Sequence, residues 1–451
     1  MSHTESSESP RDSQTGWVMP GLDAVQAPMA TPDPSGEWQY DLERASQFLQ
    51  QRSRELGVSR RRLLQLLAAS STAATAGLLP RRAASQGRPP SAGPSSATIQ
   101  KPTPGELFVR NGSNAEMRWE SLYGRGFLVP NSLFFVRNNG PTPLIDVARW
   151  RLRVEGNGVE RPLSLSYDEL LAMPSVSVMR AIECAGNGRN FFEQSHGRRI
   201  EGTPWNLGGV GVAEWTGVPL AEVLQRAGVK ATARDVMPIG LDAKAVQRPL
   251  PLSKAMAEDT LLVYAMNGDP LPPDHGFPLR VLVPGWVGIA HIKWVGSVQV
   301  SETPLFSEYN TRRYVLIGED YPVDDALAAQ GVRGQILTTQ GVKSAFELPW
   351  NGTIEPGKRL VRGRSWSGEG AISRVQVSFD GGRQWKTARL RAPNIAQAWV
   401  RWDLDWDPQP GRYGLLARAT DDRGRSQPER IPLNAEGYSY GAVVSHPIRV
   451  R

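Results

Sequence analysis

The chain has 451 residues, too many for one ordinary domain, with a formal net charge of +7 and 40% hydrophobic residues. Its single cysteine excludes an internal disulfide and a zinc or iron–sulfur site built from its own cysteines. The 45 glycines, 36 prolines and 14 tryptophans favour loop-rich β structure over a helical bundle.

The excess positive charge suits an anionic small molecule or an acidic partner surface. No Lys/Arg run lies beyond the N-terminal region, which argues against nucleic acid. Residues 1–57, rich in Ser, Pro, Asp and Glu, predict a disordered extension with a short helix over Glu37–Leu56. Next, Ser59-Arg-Arg-Arg-Leu-Leu-Gln-Leu-Leu67 leads into Ala68–Leu79, a run rich in Ala, Ser and Thr. Paired arginines before a moderately apolar stretch predict a twin-arginine (Tat) export signal over 58–84, and hence a periplasmic protein. The alternative is an amphipathic surface helix, but no polar alternation runs through the stretch. Such a signal normally starts near the first residue, and this one starts near residue 59. Ala74-Thr-Ala76 is one candidate cleavage site. The run is shorter than the about 20 apolar residues of a membrane span, so no stable span is expected. Residues 85–104, rich in Pro, Ser and Gly, predict a linker.

From 105 to 335 short apolar strands mix with brief helical patterns. Strands are predicted at Leu133–Arg137, Trp150–Val154, Val178–Glu183, Arg280–Val283 and Ile292–Val300, and helices at Leu220–Ala227 and Leu252–Ala257. No βαβ unit repeats, so the fold class is α+β rather than a doubly wound sheet. No Walker A loop is present, and Gly208-Gly209-Val-Gly211 lacks the strand–helix context of a dinucleotide site. From 336 to 451 the pattern alternates with period two, over Lys358–Trp366, Ile372–Phe379, Lys386–Leu390, Ala398–Leu404, Gly414–Thr420 and Pro447–Val450. Asp380-Gly-Gly382 reads as a hairpin turn. This spacing predicts an all-β immunoglobulin-like sandwich, a domain expected to supply scaffold or dimer interface rather than chemistry.

The cysteine, Cys184, stands in Arg180-Ala-Ile-Glu-Cys-Ala-Gly-Asn-Gly-Arg189. A lone thiol in this setting suits a nucleophile, a single metal ligand or a buried core residue. Arg137, Arg180, Arg189, Arg198, Arg199, Arg248 and Arg280 are interspersed with His275, His291 and Lys293. A cleft built from several of these would recognise oxyanions or phosphates, and cations near Cys184 would favour its thiolate. Asn138-Asn139-Gly140-Pro141 is a turn that could also present amides to a ligand. A Cys–His nucleophile would need His275 or His291 as its base, in a hydrolase or transferase.

Six motifs in order carry a resemblance: Phe134-Phe-Val-Arg-Asn138; Glu183-Cys-Ala-Gly-Asn187 with Arg189; Thr203-Pro-Trp205 with Gly208-Gly209; Tyr264-Ala-Met-Asn-Gly268; Asp274-His-Gly-Phe-Pro-Leu-Arg280; and Pro284-Gly285 with Gly288 and Ile292-Lys-Trp294. Together they resemble the sulfite oxidase family of molybdopterin enzymes, including its bacterial sulfane dehydrogenase branch. Val375-Gln-Val-Ser-Phe-Asp-Gly-Gly382 with Trp385 resembles that family's dimerisation domain. The resemblance implies a molybdopterin-binding domain over 105–335 and a homodimer-forming sandwich over 336–451. It implies Cys184 as the thiolate ligand of molybdenum, a soft donor on a soft metal. Arg137 and Arg189 match arginines near the oxyanion and the cofactor. His275, Arg280 and Lys293 match residues that hold molybdopterin, with Asn138, Asn139 and His291 in the same motifs. Trp205 falls near a substrate-pocket tryptophan.

The departures are specific. The family's Arg-Asn-His reads Arg137-Asn138-Asn139 here. The expected substrate tyrosine is missing from Ala245-Val-Gln-Arg-Pro-Leu-Pro251, where Arg248 sits. The second-domain substrate arginine is not evident, and Glu436-Gly-Tyr-Ser-Tyr440 occupies its region. These changes leave sulfite, a related sulfur compound or another oxyanion as the expected substrate. With no Cys-x-x-Cys-His segment, electrons are expected to leave to a separate c-type cytochrome.

Overall fold

The computed structural model describes residues 98–451. The expected extension, export signal and all but the end of the linker lie outside the described residues. The architecture is α+β followed by a β sandwich.

Two five-stranded sheets carry the first half. In one, Asp269–Pro270, Leu261–Met266, Val210–Pro219 and Val176–Glu183 follow in order, and Arg280–Leu282 also pairs with Leu261–Met266. Val210–Pro219 is central, so most of its residues are buried and its sequence reads as a near-continuous apolar run. The other sheet runs Leu163–Leu165, Leu152–Glu155, Val295–Ser301, Asp235–Gly240 and Leu250–Pro251, with Val295–Ser301 parallel to Leu152–Glu155. Helix Leu220–Arg226 buries Leu220, Val223 and Leu224, the i, i+3, i+4 stripe of an amphipathic helix, against this layer. Helix Tyr167–Leu171 starts on a capping box in which Ser166 and Glu169 satisfy each other's backbone amides.

The second half is a sandwich. One sheet runs Lys343–Phe346, Arg359–Trp366, Trp399–Trp406, Arg389–Asn394, and the other Gly352–Ile354, His446–Val450, Gly411–Asp421, Ile372–Ser378, Lys386–Thr387. Between them lies a core of alternating residues such as Val361, Val375, Val377, Val400 and Leu415.

Two expected strands differ. Leu133–Arg137 is not a strand; only Val136 forms a bridge, to Ala115, while Phe134 and Phe135 bury their rings. Apolar demand there comes from aromatic packing, not from a pleat. Lys386–Leu390 divides, because the chain changes sheets at buried Ala388. Asp380-Gly-Gly382 does turn the chain between Ile372–Ser378 and Lys386–Thr387, with Gly381 and Gly382 at φ 73 and 95 and Ser378 Oγ accepting from the Gly382 amide at 2.8 Å.

The halves share a core. Trp119 of the first stacks on Trp366 of the second at 5.8 Å between ring centroids and lies 6.2 Å from Trp399. Arg364 donates from Nε to Glu347 at 2.7 Å and from Nη1 across the boundary to Phe127 O at 3.2 Å. Among the described residues no helix is long and apolar enough to cross a membrane.

Candidate active site

Cys184 follows directly on strand Val176–Glu183, in a turn held from several sides. Its amide donates to Gly209 O at 2.9 Å and its carbonyl accepts from the Asn187 amide at 2.9 Å. Asn187 closes the turn, donating from Nδ2 to Glu183 Oε1 and accepting at Oδ1 from the Gly209 amide, each at 2.9 Å. Lys343, from the sandwich, donates to Glu183 Oε1 at 2.7 Å and to Asn187 O at 2.9 Å. Gly288 packs against the same turn, where a Cβ would stand 2.8 Å from Glu183 O.

Cys184 lies in the wall between two cavities. The inner one is lined by Arg137, Asn138, Asn139, Cys184, His275, Arg280, His291 and Lys293, with Asp242 as its one carboxylate. Burial depresses its bases. Arg280 is lowered to about 9 by burial. Lys293 falls well below its ordinary value, through burial first and then the Arg280 charge. His275 is lowered by burial and by Lys101, Lys293 and Arg280 around it, so it is neutral. Arg280 donates to His275 O at 3.0 Å and His291 O at 3.4 Å, while its buried Nε has no partner. These buried N–H donors, whose charged forms burial disfavours and an anion would restore, with Arg280 Nε left without a partner, fit a group bearing anionic oxygens. Among the described residues no three His, Cys, Asp or Glu side chains gather as metal ligands. The buried Cys184 thiol faces the same cavity, a soft donor that would suit a soft metal carried there by a cofactor.

The outer cavity is an open cleft lined by Arg137, Cys184, Arg189, Trp205, Arg313, Tyr314, Glu436 and Tyr438, among others. Arg189 lies folded into this wall, donating to Thr203 O at 2.8 Å and Glu436 O at 3.1 Å. A Cβ on Gly186 or Gly437 would come within 2.9 Å of its side chain, and Gly437 also has φ 62. Arg137 donates to the Tyr314 hydroxyl at 2.9 Å, and Tyr314 stacks on Tyr438 at 5.0 Å. Burial raises the hydroxyl pKa of both tyrosines, so both are protonated near neutrality.

The expected residues thus divide. Arg137, Asn138, Asn139, Cys184, His275, Arg280, His291 and Lys293 meet in the inner cavity, with Arg137, Asn139 and Cys184 also facing the cleft. Arg189 and Trp205 line the cleft alone, so Arg189 does not join the inner set. Arg248 lines neither: it is fully buried, donating to Tyr309 O and, at 2.6 Å, to Leu337 O, so it braces the wall behind the site. His291 faces the inner cavity but spends both ring nitrogens on backbone, accepting from the Val283 amide at 3.2 Å and meeting Trp286 O at 3.0 Å. That leaves it no nitrogen for a ligand, and burial lowers it to about 3. His275 Nε2 is 3.4 Å from Lys101 Nζ. Neither histidine hydrogen-bonds the Cys184 thiol, which removes the base that a Cys–His nucleophile needs.

Four site residues were not anticipated: Tyr314, Glu436 as a cleft carboxylate, Tyr438 and Lys343. No tyrosine stands beside Arg248 in Ala245–Pro251, but Tyr314 lines both cavities and accepts from Arg137. Its only local signal is the adjacent Arg312-Arg313, and its position at φ 55 is not readable from residue type. The sandwich, expected to be scaffold, contributes Lys343, Glu436 and Tyr438.

The Cys184 thiol thus faces a cavity lined by Arg137, His275, Arg280 and Lys293, in a first half that carries a β sandwich after it. Two family descriptions match accordingly: "Oxidoreductase molybdopterin binding domain" over residues 139–309 and "Mo-co oxidoreductase dimerisation domain" over 340–443. Sulfite oxidase of Gallus gallus is 38% identical over 70% of this chain and 72% of its own length. Mitochondrial sulfite oxidase of Macaca fascicularis is 35% identical over 69% of this chain, which spans 59% of that relative's length. The crystal structure of the sulfane dehydrogenase SoxCD from Paracoccus pantotrophus is 27% identical with a TM-score of 0.66, covering 80% of this chain and 92% of that one. The chain belongs to the sulfite oxidase family.

Proposed function

We propose that this chain is a molybdenum-cofactor oxidoreductase that oxidises sulfite or a related sulfur compound. The observation that carries the reading is the position of Cys184, shared by a cationic inner cavity and an arginine-lined outer cleft. Names of relatives support the substrate class: sulfite oxidases and a sulfane dehydrogenase. When bound, the molybdenum cofactor supplies the two-electron redox step. The chain's own residues do the rest. Cys184 would ligate the metal, and Lys293, Arg280 and His275 would hold the anionic and polar parts of the pterin. Arg137 and Arg189 bind the substrate's oxygens, with Tyr314 fixing the Arg137 guanidinium and Trp205 closing the cleft wall. Electrons then leave to a separate c-type cytochrome, the protein works as a homodimer through its sandwich, and the arginine-led stretch at 58–84 exports it to the periplasm.

A second reading, a sulfane-type substrate, is supported by the likeness to the sulfane dehydrogenase structure, 27% identical over 80% of this chain. Purified full-length protein from a cofactor-competent host, assayed for molybdenum and for turnover of sulfite and thiosulfate with ferricyanide or cytochrome c, tests both. Folded protein without molybdenum sinks the proposal; turnover of thiosulfate but not sulfite selects the second reading.

A further inference from the structure

We propose that Glu436 is a specificity-determining residue that makes the cleft prefer singly charged sulfur anions to dianions. The inference rests on reading the cleft as the substrate's approach to Cys184. Besides Glu436, the cleft is lined by the carboxylates Glu201, Glu308, Glu319 and Asp320 and by the cationic Arg137, Arg189, Arg198, Arg199, Lys244 and Arg313. Alone, the cations would draw a dianion most strongly. Glu436 sets a negative charge among them. Its Oε2 lies 3.8 Å from Arg313 Nη1 and accepts from the Tyr438 hydroxyl at 3.3 Å. Its backbone carbonyl holds Arg189 Nε at 3.1 Å.

The carboxylate is fixed rather than waving in solvent. Asn434 and Tyr438 exchange two hydrogen bonds, each 2.9 Å, which close the loop that carries it. The left-handed Gly437, φ 62, packs against the Arg189 side chain. Tyr438 stacks on Tyr314, and Tyr314 binds Arg137, so the carboxylate joins the two arginines through one continuous contact chain. The side chain is 26% exposed, enough shielding for its charge to be felt within the cleft.

A fixed charge acts on an incoming ion in proportion to that ion's charge. Glu436 therefore opposes a dianion with twice the free energy that it exerts on a monoanion of the same shape. Sulfate and methanesulfonate make the matched pair: both tetrahedral at sulfur, one doubly and one singly charged.

The test is titration calorimetry of the full-length holoprotein with each anion, for the native protein and Glu436→Gln. Glutamine keeps the shape and an acceptor for Tyr438, and the Arg189 contact is to backbone, so the fold is retained. Sulfate affinity is expected to rise about tenfold and methanesulfonate affinity about threefold, the square root, because the effect scales with charge. A second variant, Glu436→Lys, is expected to move both further in the same direction. Equal shifts for the two anions, no shift, or no detectable sulfate binding in any of the proteins overturns the proposal. Sulfite turnover, measured on the same preparations, judges the functional reading separately: its failure beside the predicted affinity shifts removes sulfite chemistry and leaves the charge selection standing.

Discussion

At the scale of single residues, Cys184 was legible because a lone cysteine in a glycine-rich motif has few roles. The structure narrows them by geometry: a buried turn, two cavities and no histidine in contact. Serine at this position keeps the volume but not the soft, readily ionised sulfur that a molybdenum site uses. Cys184→Ser is expected to cut turnover at least about a hundredfold, beyond the effect typical of groups that only support a ligand. Its melting temperature is expected to stay within about 4 °C of the native protein's. Steady-state assay and a thermal melt check the pair, and retained turnover refutes the ligand role. Tyr314 shows what residue type conceals. It reaches Arg137 across 177 positions, from a left-handed backbone conformation, so no local pattern announces it. Tyr314→Phe removes the acceptor of one charged hydrogen bond, worth about 1.5–3 kcal/mol. A rise in KM for sulfite of roughly tenfold or more is expected, at about 1.4 kcal/mol per tenfold. An unchanged KM would show that Arg137 holds its place without the hydroxyl.

At the scale of elements, apolar period marked some strands and helices and left others, such as Val210–Pro219, Asp235–Gly240 and Leu261–Met266, unmarked. The helix after Pro219, the strand leading to Cys184 and the sandwich strands lie where apolar spacing put them, because each buries a face that the sequence marks. The two misplaced strands have a common cause. Leu133–Arg137 buries aromatic rings from irregular backbone, and Lys386–Leu390 crosses between sheets; both depend on partners far away in sequence. Strand His446–Val450 carries a further consequence. His446 is buried against Trp350 and Phe346, with Nε2 facing Pro349 O at 3.2 Å, and burial lowers its pKa from 6.5 to about 4. Between those two values the unfolded chain binds a proton that the folded chain refuses. Stability therefore falls as pH drops from 6.5 to about 4, by about 3 kcal/mol from this one residue. His446→Leu is expected to flatten that part of the pH profile of urea unfolding; an unaltered slope would assign the acid sensitivity elsewhere.

At the scale of the whole molecule, the site is built by both halves. The first supplies the thiol and the inner cavity, and the second locks the turn on which the thiol sits. Ser439 N donates to Ala185 O at 2.8 Å, Glu436 O holds Arg189, and Lys343 spans Glu183 and Asn187. The last contact is the most exacting, since the Lys343 and Glu183 side chains are only 4% and 3% exposed. A buried pair adds little over an apolar pair, but breaking it strands a charge. Lys343→Met should then cost about 3–5 kcal/mol, although methionine fills the space. Removing the stranded charge as well, in Glu183→Gln/Lys343→Met, should return much of that loss, because glutamine still accepts from Asn187 Nδ2. Urea unfolding followed by tryptophan fluorescence measures both. If the single variant loses less than about 1 kcal/mol, or the double variant is no better than the single one, the pair is not what joins the sandwich to the Cys184 turn. If both expectations hold, the sandwich braces the Cys184 turn through a lysine that lines neither cavity, beside the Glu436 and Tyr438 that it sets in the cleft wall.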